Sequence, residues 1–152
     1  MQAVRKELGE IIFDLNNNEL STRFNEHANS IGELILHIGE VEWWWINCTI
    51  LGNKLTESDR QNVFWDILKN RDFASKNFSV QDCLKIIDQI RELTKEVLAN
   101  FTDGDLERLF CYETSWSNGK HGASLRWILH HLIDHEAHHK GQISMTKRLI
   151  RN

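Results

Sequence analysis

HEAHHKGQ, residues 135–142, is the stretch from which the fold and chemistry of this chain are best inferred. Two of its histidines, His135 and His139, are four residues apart and would lie one turn apart on one face of a helix. Counting in sevens places both at inward-facing positions, where a helical bundle normally carries leucine. The predicted inward-facing set is Leu125, Ile128, Leu132, His135, His139, Gln142, Thr146 and Leu149. Because a buried imidazole loses its hydration and needs a partner, the pair predicts a shared divalent metal.

The composition favours a single all-α domain over residues 1–152. The chain has no proline and only eight glycines, and its apolar residues recur at helical rather than alternating spacing. A chain of this length can bury a full hydrophobic core without disulfides. β-strands therefore have little support.

Four amphipathic helices are predicted. Three of them begin at a serine that can cap the first turn, in two cases with an acidic residue three positions later. Their predicted ranges are 3–16, 30–52, 79–101 and 124–150. Long connections over 53–78 and 102–122 join them, the first with a short helix near 64–68 and the second with Tyr112 and Trp116 as apolar anchors. Helices with one apolar stripe each bury it in a four-helix bundle with long crossover connections.

His37 is the expected third metal ligand. It shares the apolar stripe of the second helix with Leu34 and Val41, where an aliphatic side chain would be usual. A lone histidine on such a face is more often a core residue bonded to one carbonyl, but the inward pair on the last helix favours a metal site. His131 and His138 fall beside the inward-facing positions and are expected at the rim of the site or behind the ligands.

Three imidazoles would leave coordination positions open, which is typical of a catalytic rather than a structural metal site. Imidazole ligands suit Zn²⁺ or Ni²⁺, and also copper and iron. A metal at such a site acidifies a bound water or thiol. Gln142, three residues after His139, could hydrogen-bond a bound ligand or could simply pack. Gly141 inside the helix predicts the close approach of a neighbouring helix.

The segment from His135 to His139 also matches the His-Glu-x-x-His pattern of metallopeptidases, in which the glutamate is the general base. Glu136 would have that role in a hydrolase. The pattern fixes only three positions, the segment is rich in histidine, and no third ligand of the peptidase type follows. Outside that alternative, Glu136 is expected to face solvent or to lie behind the ligands.

Charge and cysteine usage indicate a cytoplasmic protein that binds a small molecule. The net charge of -4 gives no argument for nucleic-acid binding, and no apolar run is long enough to span a membrane. The first residues, Met1–Glu7, begin an amphipathic pattern rather than a cleavable signal. The three cysteines are widely spaced, which predicts reduced thiols.

The last helix is locally basic at its end, where Lys147, Arg148 and Arg151 stand. These residues could attract an anionic substrate or cofactor. A solvated basic face that complements the helix C-terminus is the simpler interpretation.

Three consecutive tryptophans, Trp43, Trp44 and Trp45, cover every side of one helical turn. Trp44 and Trp45 fit the core, whereas Trp43 is expected to meet a connection, a ligand or a second subunit. The chain has six tryptophans in all. This apolar surplus predicts a homodimer.

The order and spacing of these motifs resemble the DinB superfamily. The resemblance lies in residues 29–38 with Glu42 and Trp45, and in residues 135–142. It implies a four-helix bundle, often a homodimer, in which His37, His135 and His139 hold a divalent metal. Related thiol-dependent transferases and maleylpyruvate isomerases use low-molecular-weight thiols, and the resemblance implies the same class of cofactor here.

The favoured hypothesis is a metal-dependent S-transferase that activates a small thiol against a small electrophile. The main alternative is a non-catalytic metal-binding or stress-response module that uses the same ligands. A metal-dependent hydrolase that uses Glu136 is the third hypothesis.

Overall fold

Serine caps begin three of the four long helices of the computed structural model, which describes residues 1–113 and 119–152. Ser30, Ser79 and Ser124 each accept a hydrogen bond from the backbone N–H three residues later. At the first two, the acidic side chain at that third position accepts in return from the serine backbone. These reciprocal bonds satisfy N–H groups that have no partner within the helix. The three helix starts predicted from the sequence are confirmed.

The described residues are mostly α-helical, as in DinB-like proteins. A π-helical turn, Trp45–Ile50, continues the third helix directly. None of the helices in the described residues is both long and apolar enough to cross a membrane. The elements in chain order are α1 (Gln2–Ile12), α2 (Asn17–Ser21), α3 (Ile31–Trp44), α4 (Glu57–Arg60), α5 (Ile67–Asn70), α6 (Val80–Leu98), β1 (Leu109–Tyr112), β2 (His121–Ser124) and α7 (Leu125–Arg151).

Helix α3 lies at the centre of the packing. It contacts both α6 and α7, and α1 packs on α7. Gly39 brings α3 close to α6, because a Cβ at that position would lie 3.0 Å from side-chain atoms of Ile87 and Ile90. Gly141 was predicted to have this function on α7, but a Cβ there would meet nothing within 4 Å. The close helix approach is therefore on α3.

A short antiparallel ribbon corrects the expectation that strands have little support. Strands β1 and β2 pair from Leu109 with Ser124 to Tyr112 with His121. Phe110 of β1 is buried. Each strand has only four residues, too few to show a clear alternating pattern, so the sequence does not distinguish the strands from the turn-rich connection around them. Trp116, the other predicted anchor of this connection, lies outside the described residues.

The inward face of α7 also differs from the predicted one. Gln142 is half-buried and Leu149 is 47% exposed. The heptad count assumes a supercoiled helix, whereas a straight helix of about 3.6 residues per turn drifts by about 20° per heptad. The residues that are buried along α7 are Leu125, Ile128, Leu132, Glu136, His139, Ile143 and Thr146. Ile143 and Glu136 therefore take inward positions that the heptad count did not give them.

Four buried charged side chains, one from each long helix, meet in the interior. We call Arg5, Glu42, Arg91 and Glu136 the charge cluster; each is at most 9% exposed. Arg5 donates from Nε to Glu136 at 2.5 Å and from Nη2 to Glu42 at 3.1 Å. Arg91 donates to both Glu42 oxygens, at 2.6 and 2.9 Å, and to Glu136 at 2.7 Å. Opposite charges balance within the cluster, which makes their burial tolerable.

Two neighbouring groups add hydrogen bonds to the cluster. The Thr94 hydroxyl donates to Glu42 at 2.7 Å, and Arg5 donates from Nη1 to the Ile87 carbonyl at 2.9 Å. The Nη1 of Arg91 is buried and has no hydrogen-bond partner among the described residues. The cluster thus fixes the rotation of each long helix relative to the other three.

The basic end of α7 is an inter-helix contact. Lys147 donates to Asp14 and to the Ile11 carbonyl, both at 2.6 Å. Arg151 donates to Asp14 at 2.9 Å and to Glu19 at 2.6 Å. Hydrogen bonds from Lys147 and Arg151 lower the pKa of Asp14 to about 2. These two side chains are therefore neither free for an anionic substrate nor simply solvated, and they join α7 to the α1–α2 region.

Removal of one charge from the cluster should destabilise the fold strongly. Glu42→Gln leaves the Arg5 and Arg91 charges with only one of their two shared carboxylates, and we expect the free energy of unfolding to fall by about 3–5 kcal/mol. Urea denaturation measures this change. The control is Asp88→Asn, because the Asp88 side chain is 60% exposed and 3.4 Å from Arg5; its effect should stay below about 1 kcal/mol. Equal losses in the two variants would contradict the proposed importance of the cluster.

Candidate metal centre

Three imidazoles converge at the groove between α3 and α7. The structure brings together His37, His135 and His139, whose candidate ligand nitrogens all lie within 4.8 Å of one another. The Nε2 atoms of His135 and His139 are 3.2 Å apart. The His37 ring centroid is 5.1 Å from each of the other two. These are the three residues that the sequence predicted as ligands, and we call them the histidine triad.

Two hydrogen bonds orient the triad. His37 Nδ1 lies 3.0 Å from a carboxylate oxygen of Glu40, and His139 Nδ1 lies 2.7 Å from the amide oxygen of Gln142. Because both partners are acceptors, Nδ1 is the donor in each contact, and Nε2 is the ring nitrogen left for a metal. The other oxygen of Glu40 accepts from the Asp66 backbone N–H at 2.6 Å. Metal-binding histidines are commonly held by such partners.

Glu40 was not singled out in the sequence. The available signal was its position three residues after His37, which places the two side chains on the same side of α3. Gln142 has a different contact from the predicted one. Its oxygen accepts from His139 and its amide nitrogen lies 3.1 Å from His138 Nε2, so it orients a triad histidine; its contact with a bound ligand stays a prediction.

Burial keeps two of the triad rings uncharged. Burial and, to a smaller extent, the neighbouring imidazoles of His139 and His37 together lower the pKa of His135 from 6.5 to about 3. Burial also lowers the pKa of His139 to about 4, although the hydrogen bond with Gln142 opposes this shift. Both rings are therefore neutral near pH 7. A metal displaces no proton from a neutral imidazole, so this is the protonation state that binding requires.

The donor set fits a divalent metal with an open coordination sphere. Within residues 1–113 and 119–152, no carboxylate or thiol joins the three imidazoles as a fourth member of the group. The His37 side chain is 21% exposed, so the site can be reached from solvent. Three histidines with a free position are typical of catalytic zinc sites. Metal binding itself stays a prediction.

Glu136 lies in the charge cluster and not at the solvent side, contrary to expectation. Its side chain is 2% exposed, and its two oxygens accept from Arg5 and Arg91. It follows His135 by one residue, which turns it by about 100° around the helix and into the core. A carboxylate bound by two guanidinium groups is poorly suited to act as the general base of a hydrolase.

The other predicted neighbours lie around the triad. His131 is half-buried and its ring centroid is 5.9 Å from that of His135. His138 is exposed and contacts Gln142. Trp43 packs against Trp65 in the first connection, with ring centroids 6.1 Å apart. Contact with a connection was one of the three alternatives predicted for Trp43. Trp45 is buried, whereas Trp44 is only half-buried.

A mostly helical fold with a histidine pair on its last long helix, facing a third histidine on α3, defines a DinB-like protein. The family model of mycothiol-S-transferases matches residues 1–152. The chain therefore belongs to the mycothiol-S-transferase family, which is part of the DinB-like superfamily. No curated protein matches the chain.

Substitution of a triad residue should abolish metal binding. Zinc-loaded His37→Ala and His139→Ala should lose the metal on dialysis, and with it the rise in melting temperature that metal binding gives. Metal analysis of the dialysed proteins measures the loss. His138→Ala is the control because its ring is exposed outside the triad, and it should keep the metal. Gln142→Ala should keep the site but bind metal about tenfold more weakly, since His139 loses its orienting partner. Full metal content in His37→Ala would refute the site.

Acid should destabilise protein that a chelator has stripped of metal. The unfolded chain binds protons at His135 and His139 near pH 6.5, whereas the folded chain binds them only near pH 3 to 4. Their contribution to stability is therefore complete above pH 6.5 and is lost as the pH falls toward 4. Urea denaturation across this range should show a smaller slope against pH for His135→Gln than for the original chain. The same slope in both proteins would contradict the assignment.

Proposed function

We propose that this protein is a divalent-metal-dependent thiol S-transferase that joins mycothiol, or a closely related small thiol, to a small electrophile. One observation carries the proposal. Three imidazoles bring candidate ligand nitrogens within 4.8 Å of one another, and no fourth protein ligand joins them among the described residues. Membership of the mycothiol-S-transferase family supports the thiol as the second component.

The residues of this chain have separate parts in the proposed reaction. His37, His135 and His139 hold Zn²⁺ or Ni²⁺, while Glu40 and Gln142 keep two of the rings in the required orientation. A divalent ion at the site would lower the pKa of a thiol bound to it and favour the thiolate. The thiol proton goes to solvent. The sulfur electron pair then forms a bond to the electrophilic carbon, and the leaving group departs with the electron pair of the broken bond.

The two cysteines nearest the core support a thiol supplied from solution. Cys83 is fully buried, and burial raises its pKa to about 12. Burial also raises the pKa of Cys48, which is half-buried in the π-helical turn. Neither side chain is a ready thiolate near neutral pH. The third cysteine, Cys111, is exposed on β1, and Cys111→Ser serves as a control in the assay below.

Two rival functions use the same residues. A non-catalytic metal-binding module would need the triad but would show no turnover. A hydrolase would need Glu136 as its base, and the two arginines bound to that carboxylate argue against this role. Glu42→Gln provides the matched control for Glu136→Gln, because both variants remove one carboxylate from the charge cluster.

Transfer should require both the metal and the added thiol. With a chromogenic alkylating agent as electrophile, product formation by the zinc-loaded or nickel-loaded protein should fall to the uncatalysed rate when either the metal or mycothiol is left out. Cys111→Ser should retain activity. Glu136→Gln and Glu42→Gln should lose similar fractions of activity per folded molecule, because they weaken the same cluster. Thiol-independent hydrolysis lost only in Glu136→Gln would favour the hydrolase, and a lack of turnover with intact metal binding would favour the non-catalytic module.

A further inference from the structure

A row of rings on α7 leads away from the triad. Trp127, His131, His135 and His139 are spaced four residues apart, so they lie on the same side of the helix. Successive ring centroids are 4.9, 5.9 and 4.4 Å apart. The row begins at two triad histidines and ends at a tryptophan.

Trp127 and His131 form the outer part of this row. Their rings stack with an angle of 5° between the planes. Trp45 packs against both, with ring centroids 5.4 Å away, and is itself only 6% exposed. Tyr112 of β1 packs on Trp45 at 4.9 Å. We call Trp45, Trp127 and His131 the aromatic surface. Its residues lie on the π-helical turn that follows α3 and on α7, and the ribbon packs against Trp45 through Tyr112.

The exposure of Trp127 distinguishes it from an ordinary packing residue. The side chain stacks on one neighbour yet remains 47% exposed, whereas the adjacent Trp45 is buried. Large exposed aromatic groups next to a reactive centre are characteristic of ligand-binding sites. The His131 and Trp127 rings are nearly parallel. Flat aromatic rings favour a flat ligand over a bulky aliphatic one.

The two ends of the site differ in polarity. On the side of His139 away from His135, Gln142 contacts both His139 and the exposed His138, and Ile143 takes the next position of the row. On the opposite side of the triad lies the aromatic surface. A molecule that reacts at the triad therefore finds hydrogen-bonding groups at one end and aromatic rings at the other.

We propose that the aromatic surface binds the electrophile, and that the electrophile carries a planar aromatic or conjugated group. This inference rests on the proposed function. His131 and Trp127 lie about 6 and 12 Å from His135 along the helix axis, at about 1.5 Å per residue. A planar group joined to its reactive carbon by a few single bonds can therefore stack on Trp127 while the reactive carbon lies at the triad. The bond changes are those of the S-transfer above: the sulfur–carbon bond forms, and the leaving group takes the electron pair of the broken bond.

Binding of an unreactive planar probe tests the surface without any turnover. The probe is 2-naphthamide, and cyclohexanecarboxamide is its non-planar counterpart. They are added to the full-length zinc-loaded protein without thiol, and the indole N–H signals are followed by ¹⁵N NMR. The Trp127 signal is identified by its absence in Trp127→Phe. We expect 2-naphthamide to shift the Trp127 signal and to bind at least about tenfold more tightly than cyclohexanecarboxamide, because only the planar probe can stack.

Three variants measure the contribution of the indole. Trp127→Ala should weaken 2-naphthamide binding by about threefold to tenfold, as expected for loss of a stacked aromatic partner, and Trp127→Phe should stay within about threefold of the original chain. Trp65→Leu is the control, because Trp65 packs against Trp43 in the first connection; it should not change binding. Metal content should be the same in all of them. With an aryl-bearing electrophile, Trp127→Ala should raise KM by a similar factor and leave kcat nearly unchanged.

Other outcomes would overturn the proposal. Equal binding of the two probes, or shifts confined to the signals of Trp43 and Trp65, would show that the aromatic surface does not select a planar ligand. Sedimentation of a dimer that Trp127→Ala dissociates, together with no probe binding, would assign the surface to a second copy of the chain. If the probe binds at Trp127 but no thiol is transferred to any electrophile, the surface is upheld as a ligand site and the proposed S-transferase function fails.

Discussion

The charge cluster is the interaction on which the rest of the structure depends. Arg5, Glu42, Arg91 and Glu136 come one from each long helix, and their hydrogen bonds can form only when all four helices have the correct rotation and axial position. Burial of charges adds little net stability compared with an apolar core, but loss of one partner is costly, so the cluster disfavours alternative packings. Glu136 stands next to His135 in the chain, and Glu42 stands one and a half turns after His37. Arg5 and Arg91 link Glu42 of α3 to Glu136 of α7. This link therefore also sets the alignment of the histidine triad.

The triad brings ring nitrogens close enough together for one cation to bind them. Burial disfavours the protonated forms of His135 and His139, and their Nε2 atoms lie 3.2 Å apart. Neutral imidazoles so close together offer their lone pairs to a common cation. Glu40 and Gln142 hold this arrangement in advance, which reduces the cost of ordering the ligands on binding. Any metal that binds the folded chain and not the unfolded chain also stabilises the fold.

Local signals in the sequence were sufficient for much of this arrangement, and non-local contacts account for what they missed. The serine caps and the i, i+4 spacing of His135 and His139 depend on neighbours in the chain, and both predicted the structure correctly. Arg5 and Arg91 resemble the surface arginines of any amphipathic helix until their partners on other helices are known. Glu136 was placed outside the core because the heptad count does not follow the rotation of a straight helix. The β1–β2 ribbon was missed because each of its strands has only four residues, too few to show an alternating pattern.

The central claim is that three histidines hold one divalent ion and leave a position for the sulfur of a small thiol. X-ray absorption at the zinc edge of the zinc-loaded protein tests this most directly, before and after addition of mycothiol. The account predicts three imidazole nitrogens at about 2.0–2.1 Å in both states, and one sulfur at about 2.3 Å only after the thiol is added. A spectrum that requires a fourth protein ligand, or that shows no sulfur at saturating thiol, would contradict it.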